Sequence, residues 1–395
     1  MNKNGHIYCD YAASTPVAKE VLRVMRPYFD TVFANAGSVH IPGQQAIAAV
    51  DKSRETIARL LHAKFEEIIF TGSATEANNL ALRGAVKGWR RTHHTGKPRI
   101  IISAIEHPSV SATAYDLEKE GAEVIRVPVD KEGNVDKKKL LRAVHKNTVV
   151  VSVIYASNEI GTIQPIEQIG HSLAEYRKEK NTLYPLFHTD AVQAIQYCDI
   201  DVTRLGVDML SLSAQKIYGP KGIGALYVRG IAQNKLASII TGGGQEFGLR
   251  AATENVPAIV GFARAMELVM EEKAKEVKKV RNIRDYFWEK LIKRIPCVLL
   301  NGYAIENDMR LPNNCNVYFQ GRDAYDMLVA LDLVGIAVSS GSACSVRAVK
   351  ASSVITELGF DEKRAKNSLR FSFGRLSTKK DVDIIIKKIV SLIEQ

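Results

Sequence analysis

The sequence lacks the features that mark membrane and secreted proteins. Its 395 residues contain no uninterrupted apolar run of the ~20 residues that a membrane-spanning helix needs. The start, MNKNGHIYCDYAASTP, has neither the apolar core of a secretory signal nor an Arg- and Ser-rich amphipathic stretch. We therefore expect a cytoplasmic protein without a membrane partner.

Cysteine is also scarce, with five residues and no CxxC pair. A disulfide framework or a thiolate zinc site is therefore not expected, and we predict no metal.

The net charge of +11 is concentrated in basic stretches at 87–99 and 275–294. These stretches are compatible with solvated helix faces or with docking of an acidic partner, and the charge does not choose between the two.

The first two thirds of the chain alternate between apolar runs and helical patterns. Six runs rich in Val, Ile and Leu, without polar alternation, predict strands buried on both faces: 66–72, 98–105, 122–129, 148–156, 183–191 and 207–214. Helical stretches such as 76–91 and 165–180 separate several of them. This order predicts an α/β fold whose mainly parallel, mixed sheet has helices on both faces. A further run, 222–229, is compatible with an antiparallel strand.

The pattern changes after residue 255. A long charged helix (256–295) precedes shorter strand patterns at 311–320 and 368–375 and a final helix from 380. We predict a large domain at 16–255 and a smaller α+β domain built from 1–15 and 256–395.

Polar motifs follow the predicted strands, at the edge where parallel sheets bind ligands. The turn TGSATEANN (71–79) enters a helix and suits a phosphate. Asp190 ends an apolar strand, and Lys216 follows another. A desolvated Lys can form a Schiff base, and a carboxylate can keep a pyridine nitrogen protonated. Each feature alone is commonplace, but together they indicate pyridoxal phosphate.

The same motifs carry a family resemblance along nearly the whole chain. FTGSATEANNLAL, AIEHPSV, SNEIGTIQPI, HTDAVQ and SLSAQKIYGPKGIGALYVR resemble the successive motifs of cysteine desulfurases, within the fold-type I, class V aminotransferase group. GGGQEFGLRAATEN, SSGSACSV and SLRFSFGR continue the match. The resemblance implies the PLP-dependent transferase fold, pyridoxal 5′-phosphate as cofactor, and a homodimer.

The resemblance also implies a role for each matching residue. Lys216 would carry the cofactor as a Schiff base, and His107 would stack on its ring and assist proton transfer. The remaining cofactor contacts would be Asp190 to the ring nitrogen, Gln193 to the ring hydroxyl, Ala74, Thr75, Ser213 and Gln215 to the phosphate, Thr253 from a second subunit, and Asn158. Asn158 and Arg370 would receive the substrate carboxylate, for which a bidentate Arg is the natural partner.

Cys344 distinguishes a desulfurase from other enzymes of this group. It lies in SSGSACSVRAVKASS (339–353), a segment of small residues that predicts an exposed loop. The resemblance implies that Cys344 attacks the sulfur of L-cysteine, leaving L-alanine and a Cys344 persulfide. The other four cysteines adjoin apolar runs or a turn and are interpreted as structural.

The persulfide would pass to a sulfur-acceptor protein, either a scaffold for iron–sulfur clusters, a sulfur carrier or a tRNA-thiolation enzyme. Direct binding of nucleic acid is not expected. Selenocysteine lyase and another class V aminotransferase remain alternatives, as does a catalytically dead sulfur-relay scaffold. The sequence departs from the family pattern at Gln215, where His is usual, and in the basic residues Arg347 and Lys350 after Cys344.

Overall fold

The computed structural model describes residues 6–93, 95–341 and 351–394. The strands within them are β1 (Ile7–Tyr8), β2 (Ile68–Thr71), β3 (Arg99–Ser103), β4 (Glu123–Val127), β5 (Thr148–Ser152), β6 (Leu186–Asp190), β7 (Met209–Ser213), β8 (Gly224–Val228), β9 (Leu299–Leu300), β10 (Asn314–Tyr318), β11 (Ile336–Ala337) and β12 (Ser368–Ser372).

The α-helices alternate with these strands. They are α1 (Lys19–Met25), α2 (Pro27–Asp30), α3 (Ile41–Leu61), α4 (Ala74–Thr92), α5 (Pro108–Lys119), α6 (Lys137–Ala143), α7 (Ile166–Glu179), α8 (Val202–Leu205), α9 (Gly230–Gln233), α10 (Val256–Arg294), α11 (Ala324–Leu333), α12 (Ser353–Glu357), α13 (Glu362–Lys366) and α14 (Lys379–Ile393). Short 3-10 turns lie at Phe65–Glu67, Ala214–Lys216 and Glu246–Gly248.

Seven strands form the main sheet, in the order β2-β8-β7-β6-β5-β3-β4. The pairs from β7 to β4 are parallel, whereas β8 runs antiparallel to both of its neighbours. All six predicted apolar runs are strands of this sheet, and the antiparallel seventh strand also forms. The predicted α/β fold is therefore confirmed.

The sheet is buried on both faces because its apolar residues alternate between two cores. In β3, Ile101 belongs to the core beneath α3, α7 and the start of α10, whereas Ile100 and Ile102 belong to the core beneath α4 and α5. Successive side chains of a strand point to opposite faces, so a run without polar residues supplies both cores. The six apolar runs thus explain the helix–sheet–helix layering.

A separate core lies at the end of the molecule where the termini of the described chain meet. It contains Ile7, the second half of α10, and the three-stranded antiparallel sheet β12-β10-β9 with α11 and α14. The first half of α10 packs in the core of the main sheet instead. Helix α10 has 39 residues, which corresponds to about 58 Å at 1.5 Å per residue, so it connects both cores. The domain boundary at residue 256 stays a prediction.

Even the longest helices of the described residues are too polar to lie across a lipid bilayer. The cytoplasmic location stays a prediction.

Among the cysteines, Cys9 and Cys315 are buried as interpreted, but Cys297 is exposed, because it follows the end of α10 at the surface. The expectation that Cys297 is a buried structural residue is therefore wrong.

Candidate active site

A cleft of about 760 Å³ opens at the carboxyl ends of the central strands. It brings together residues from Ala12 to Arg370, which lie 358 positions apart in the sequence. Most of them follow strands of the main sheet, because parallel strands all end at one edge. Its lining includes all ten of these residues predicted from the sequence: Ala74, Thr75, His107, Asn158, Asp190, Gln193, Ser213, Gln215, Lys216 and Arg370. Cys344 lies outside the described residues, and Thr253 lines a different cleft.

Lys216 closes the 3-10 turn that follows β7, so its side chain enters the cleft from the sheet edge. Its ammonium donates to the carbonyl of Ala12 at 2.8 Å and also to that of Ala13. The amide of Gln193 donates to the same Ala12 carbonyl at 2.9 Å. Thr15 anchors this segment, because its hydroxyl donates to the carbonyl next to Lys216, that of Gln215, at 2.9 Å. The N-terminal segment therefore forms one wall of the site.

Asp190 ends β6 and is only 4% exposed. Its Oδ1 accepts the N–H of Val192 at 3.1 Å, and its Oδ2 accepts an N–H of Asn78 at 2.8 Å. Each carboxylate oxygen offers two acceptor positions, so one position on each oxygen is left for a further donor. A buried carboxylate at this place suits the protonated nitrogen of a pyridine ring.

His107 is the N-cap of α5 and lines the cleft. The backbone N–H of Ser109 donates to His107 Nδ1 at 3.1 Å, and the Ser109 hydroxyl lies 2.8 Å from the same nitrogen. A nitrogen that accepts an N–H carries a lone pair, so Nδ1 is the unprotonated nitrogen of the ring. Nε2 is then the nitrogen left for the cleft.

Arg370 projects from β12 into the cleft and is 1% exposed. Its guanidinium donates to Asp10 Oδ1 at 2.7 Å and to the carbonyl of Asn158 at 2.8 Å. Its Nε is buried and has no acceptor among the described residues. A guanidinium that is held on two sides and still has a donor to spare suits a substrate carboxylate.

The N-terminus of α4 forms the other end of the cleft. Ser73 caps this helix by accepting the N–H of Glu76 at 3.2 Å, and the first N–H groups of a helix have no carbonyl partner within it. Strand β8 approaches this terminus so closely that a Cβ on Gly224 would lie 2.8 Å from the nitrogen of Ala74. A cradle of backbone N–H groups at a helix start favours phosphate.

These groups fit pyridoxal phosphate at both ends of the cleft. The helix N-terminus suits the phosphate, Asp190 suits the ring nitrogen, and Lys216 supplies the amine. Among the described residues no three or more His, Cys, Asp or Glu side chains are arranged to hold a metal ion.

The segment that carries Thr253 is tied to the phosphate end from outside. Thr253 lines a neighbouring cleft of about 480 Å³ together with Arg250. Arg250 pairs with Glu76 at 2.8 Å, and Glu76 accepts the N–H of Gly72 in the turn before α4. The role predicted for Thr253, contact with a partner's cofactor, stays a prediction.

Several residues that line the cleft or hold its side chains were not identified from the sequence. Asp10, Ala12 and Ala13 had no signal, because two of them act through backbone carbonyls and the segment precedes the first long helix. Asn78 did have a signal in the sequence, because it lies four residues after Ala74 and therefore on the same face of α4.

Comparison with known proteins decides the family. The family model for class-V aminotransferases matches residues 7–385. The chain belongs to this family. It is 41% identical over 389 residues to "Cysteine desulfurase IscS" of Dictyoglomus turgidum, covering 98% of this chain and 95% of that protein.

Solved structures agree with this family. A "NIFS-like protein" is 34% identical, with a TM-score of 0.89 over 98% of this chain and 99% of that one. "SspA in complex with cysteine" is 36% identical, with a TM-score of 0.80 over 94% and 99% of the two chains. The predicted fold family and the dependence on pyridoxal phosphate are thereby confirmed.

Proposed function

We propose that the chain is a cysteine desulfurase, which removes sulfur from L-cysteine and releases L-alanine. The observation that carries this proposal is one cleft that holds an amine, a buried carboxylate, an imidazole and a buried guanidinium: Lys216, Asp190, His107 and Arg370. Full-length similarity to proteins named as cysteine desulfurases supports the same reaction.

The cofactor is held from three sides. Ala74, Thr75, Ser213 and Gln215 would hold its phosphate, Gln193 would bond its ring hydroxyl, and Asp190 would keep its ring nitrogen protonated. When bound, pyridoxal phosphate supplies an electron sink for bond breaking next to the substrate's amino-bearing carbon. The buried position of Asp190 strengthens its hold on the ring nitrogen, since charges interact more strongly away from water.

The substrate is oriented by its carboxylate. Arg370 receives it through the N–H groups that the bonds to Asp10 and to the Asn158 carbonyl leave unused, with Asn158 beside it. Asp10 holds the guanidinium at 2.7 Å, so the binding geometry exists before the substrate arrives. The Lys216 amine takes the proton from the substrate Cα. His107 would stack on the cofactor ring and assist the proton transfers.

Cys344, which lies outside the described residues, accepts the sulfur. Its thiolate attacks the sulfur of L-cysteine, an S–S bond forms, and the C–S bond breaks. The electron pair of the broken bond stays with the carbon, which takes a proton to become L-alanine. The product on the protein is a Cys344 persulfide.

The decisive experiment quantifies sulfide and alanine from L-cysteine and a reductant. Wild type is expected to release both in equal amounts, and Cys344→Ser is expected to release neither while it keeps the visible absorbance of the bound cofactor. Cys297→Ser is the matched control, because Cys297 is an exposed thiol that the proposal gives no role. A keto acid as product, or full activity in Cys344→Ser, would refute the proposal.

A homodimer accounts for exposed apolar side chains near the N-terminus. Phe29, Phe33, Val39 and Ile41 are 62%, 76%, 91% and 76% exposed, and large apolar side chains that are exposed to this degree suit a partner surface. In the dimer, Thr253 reaches the cofactor phosphate of the second subunit.

A mixing experiment tests this sharing of sites. Lys216→Ala and Thr253→Val are each expected to be impaired, but a mixed dimer restores one site in which both residues are intact. Activity after subunit exchange should therefore exceed that of either variant alone. Absence of recovery, with exchange verified by mass spectrometry, would place Thr253 outside the partner's site.

The persulfide is passed to a sulfur-acceptor protein, which is a scaffold, a sulfur carrier or a tRNA-thiolation enzyme. An acidic acceptor would complement the net charge of +11. Transfer of labelled sulfur to an acidic acceptor should fall steeply as salt is raised from 50 to 500 mM, and transfer that ignores salt would contradict this preference.

A further inference from the structure

The two groups that flank the predicted cofactor ring are joined by one buried side chain. Asn78 lies on α4 and is fully buried. Its Nδ2 donates to Asp190 Oδ2 at 2.8 Å and to Ser109 Oγ at 2.8 Å. An amide NH₂ group has two hydrogens, so these two bonds use both of them.

The direction of this network follows from its charges. A rotated amide would place Asn78 Oδ1 against the Asp190 carboxylate, which is repulsive, so the NH₂ group faces Asp190. Ser109 Oγ accepts from Asn78. Since His107 Nδ1 is an acceptor for the backbone N–H of Ser109, the Ser109 hydroxyl 2.8 Å away contacts this nitrogen as a donor. The backbone N–H of Ser109 donates to the same nitrogen. Both bonds require a lone pair on Nδ1.

One atom of this hydrogen-bond network lowers the stability of the fold. Asn78 Oδ1 is buried without a hydrogen-bond partner among the described residues. Burying an unsatisfied carbonyl costs about 1–3 kcal/mol in general, which an apolar residue of the same size would avoid. The amide therefore has a use that packing does not explain.

We propose that Asn78 is a positioning residue, which holds Asp190 directly and His107 through Ser109 in one arrangement around the cofactor ring. Asp190 is kept facing the ring nitrogen, and His107 is kept as the tautomer with its proton on Nε2. The imidazole then presents an N–H donor to the cleft. The catalytic consequence rests on the proposed function, whereas the tautomer does not.

Two variants remove different parts of the network. Asn78→Leu, a near-isosteric change, removes the bonds to both Asp190 and Ser109. It should lower kcat by about tenfold or more, because a hydrogen bond to a charged group is lost, and leave KM for L-cysteine within about twofold. Asn79→Leu is the matched control, since Asn79 lies on the same helix and bonds Thr75 and Thr113 instead.

The second variant, Ser109→Ala, cuts only the arm to His107. It should lower kcat by about three- to tenfold, and Ser109→Thr, which keeps the hydroxyl, should restore it. Because Ser109 acts together with Asn78, the double variant Asn78→Leu/Ser109→Ala should be no slower than Asn78→Leu alone.

A spectroscopic readout separates positioning from general stability. In the holoenzyme without L-cysteine, ¹⁵N NMR of His107 should show one tautomer, with Nδ1 unprotonated. Ser109→Ala keeps the backbone N–H that donates to Nδ1, so the tautomer should persist, but the Nδ1 resonance should move because the nitrogen loses the hydroxyl donor. Asn79→Leu should leave that resonance in place. The visible band of the cofactor should shift in Asn78→Leu, since Asp190 loses a donor.

Three results would show that Asn78 does not position Asp190 and His107. Wild-type-like kcat in folded Asn78→Leu, fully additive losses in the double variant, or an unchanged His107 signal in Ser109→Ala would each overturn the inference. If Asn78→Leu does not fold, the Ser109→Ala and Ser109→Thr pair decides alone. A changed His107 signal in an enzyme that releases no sulfide would refute the proposed function and retain the inference.

Discussion

Glu106 is a buried carboxyl beside the active site whose ionisation should lower the stability of the protein. It is 6% exposed, and Oε1 accepts the Ser103 hydroxyl at 2.5 Å and the N–H of Ile154 at 2.6 Å. Oε2 is buried and has no partner among the described residues. Burial raises the pKa of Glu106 from 4.5 to about 8, against the lowering effect of these hydrogen bonds and with a smaller raising effect from Asp190.

The sign of the pH effect follows from proton binding. Between pH 4.5 and 8 the unfolded chain ionises Glu106, but the folded protein keeps it protonated. Stability from this group is therefore fully present below pH 4.5 and is lost as pH rises to 8. At 1.36 kcal/mol per pKa unit, the loss is about 3 kcal/mol at pH 7 and about 5 kcal/mol at pH 9.

Glu106→Gln removes this loss, because Gln has the shape of the protonated acid and cannot ionise. With an unfolding entropy of ~2.1 cal/mol/K per residue, the 395 residues convert the gain into about 4 °C of melting temperature at pH 7 and about 6 °C at pH 9. At pH 4.5, where Glu106 is protonated in the folded protein, any difference in melting temperature should come from the substitution itself and not from ionisation.

The assay is thermal unfolding of both holoenzymes, followed by circular dichroism from pH 4.5 to 9. Glu132→Gln is the control, because Glu132 is exposed and lies in a surface turn. The quantity to plot is the melting temperature of the variant minus that of the wild type. A difference that stays flat across this range, as expected for the control, would refute the burial argument.

Three further predictions concern single side chains. Gly224→Ala should weaken cofactor binding at least about tenfold in an absorbance titration, because its Cβ would lie 2.8 Å from the Ala74 nitrogen. Gly230→Ala should not, because its Cβ would make only an ordinary contact of 3.5 Å with Glu67 Oε1. Burial lowers the pKa of His188 to about 4, so the wild type should lose about 3 kcal/mol of stability between pH 6.5 and 4, where only the unfolded chain binds the proton. Acid unfolding curves of His188→Gln should lack this loss. An equal acid loss in both proteins would contradict this. Arg310→Met should lower the free energy of unfolding in urea by about 3 kcal/mol or more, because the carbonyls of Tyr303 and Asn301 lose their buried donor. An unchanged urea midpoint would contradict this.

The local features of this protein are readable from its sequence. Apolar runs without polar alternation predict strands with two buried faces, and Ile100 to Ile102 do supply both cores. The motifs that follow those runs predict the edge where ligands bind, and Lys216, Asp190 and His107 do meet there. These features depend on residues close together in the chain and on a general property of parallel sheets, so no long-range contact has to be known.

The closure of the site is decided by tertiary structure. Asp10 and Arg370 are 360 positions apart, and they pair only because β12 lies beside the N-terminal segment. Ala12 receives Lys216 through a backbone carbonyl, which any residue type would offer. Asn78 reads from the sequence as one polar residue of a helix, and its partners on β6 and α5 are set by how α4 packs over the sheet. Pairings of this kind depend on the packing of distant elements, which local sequence patterns do not encode.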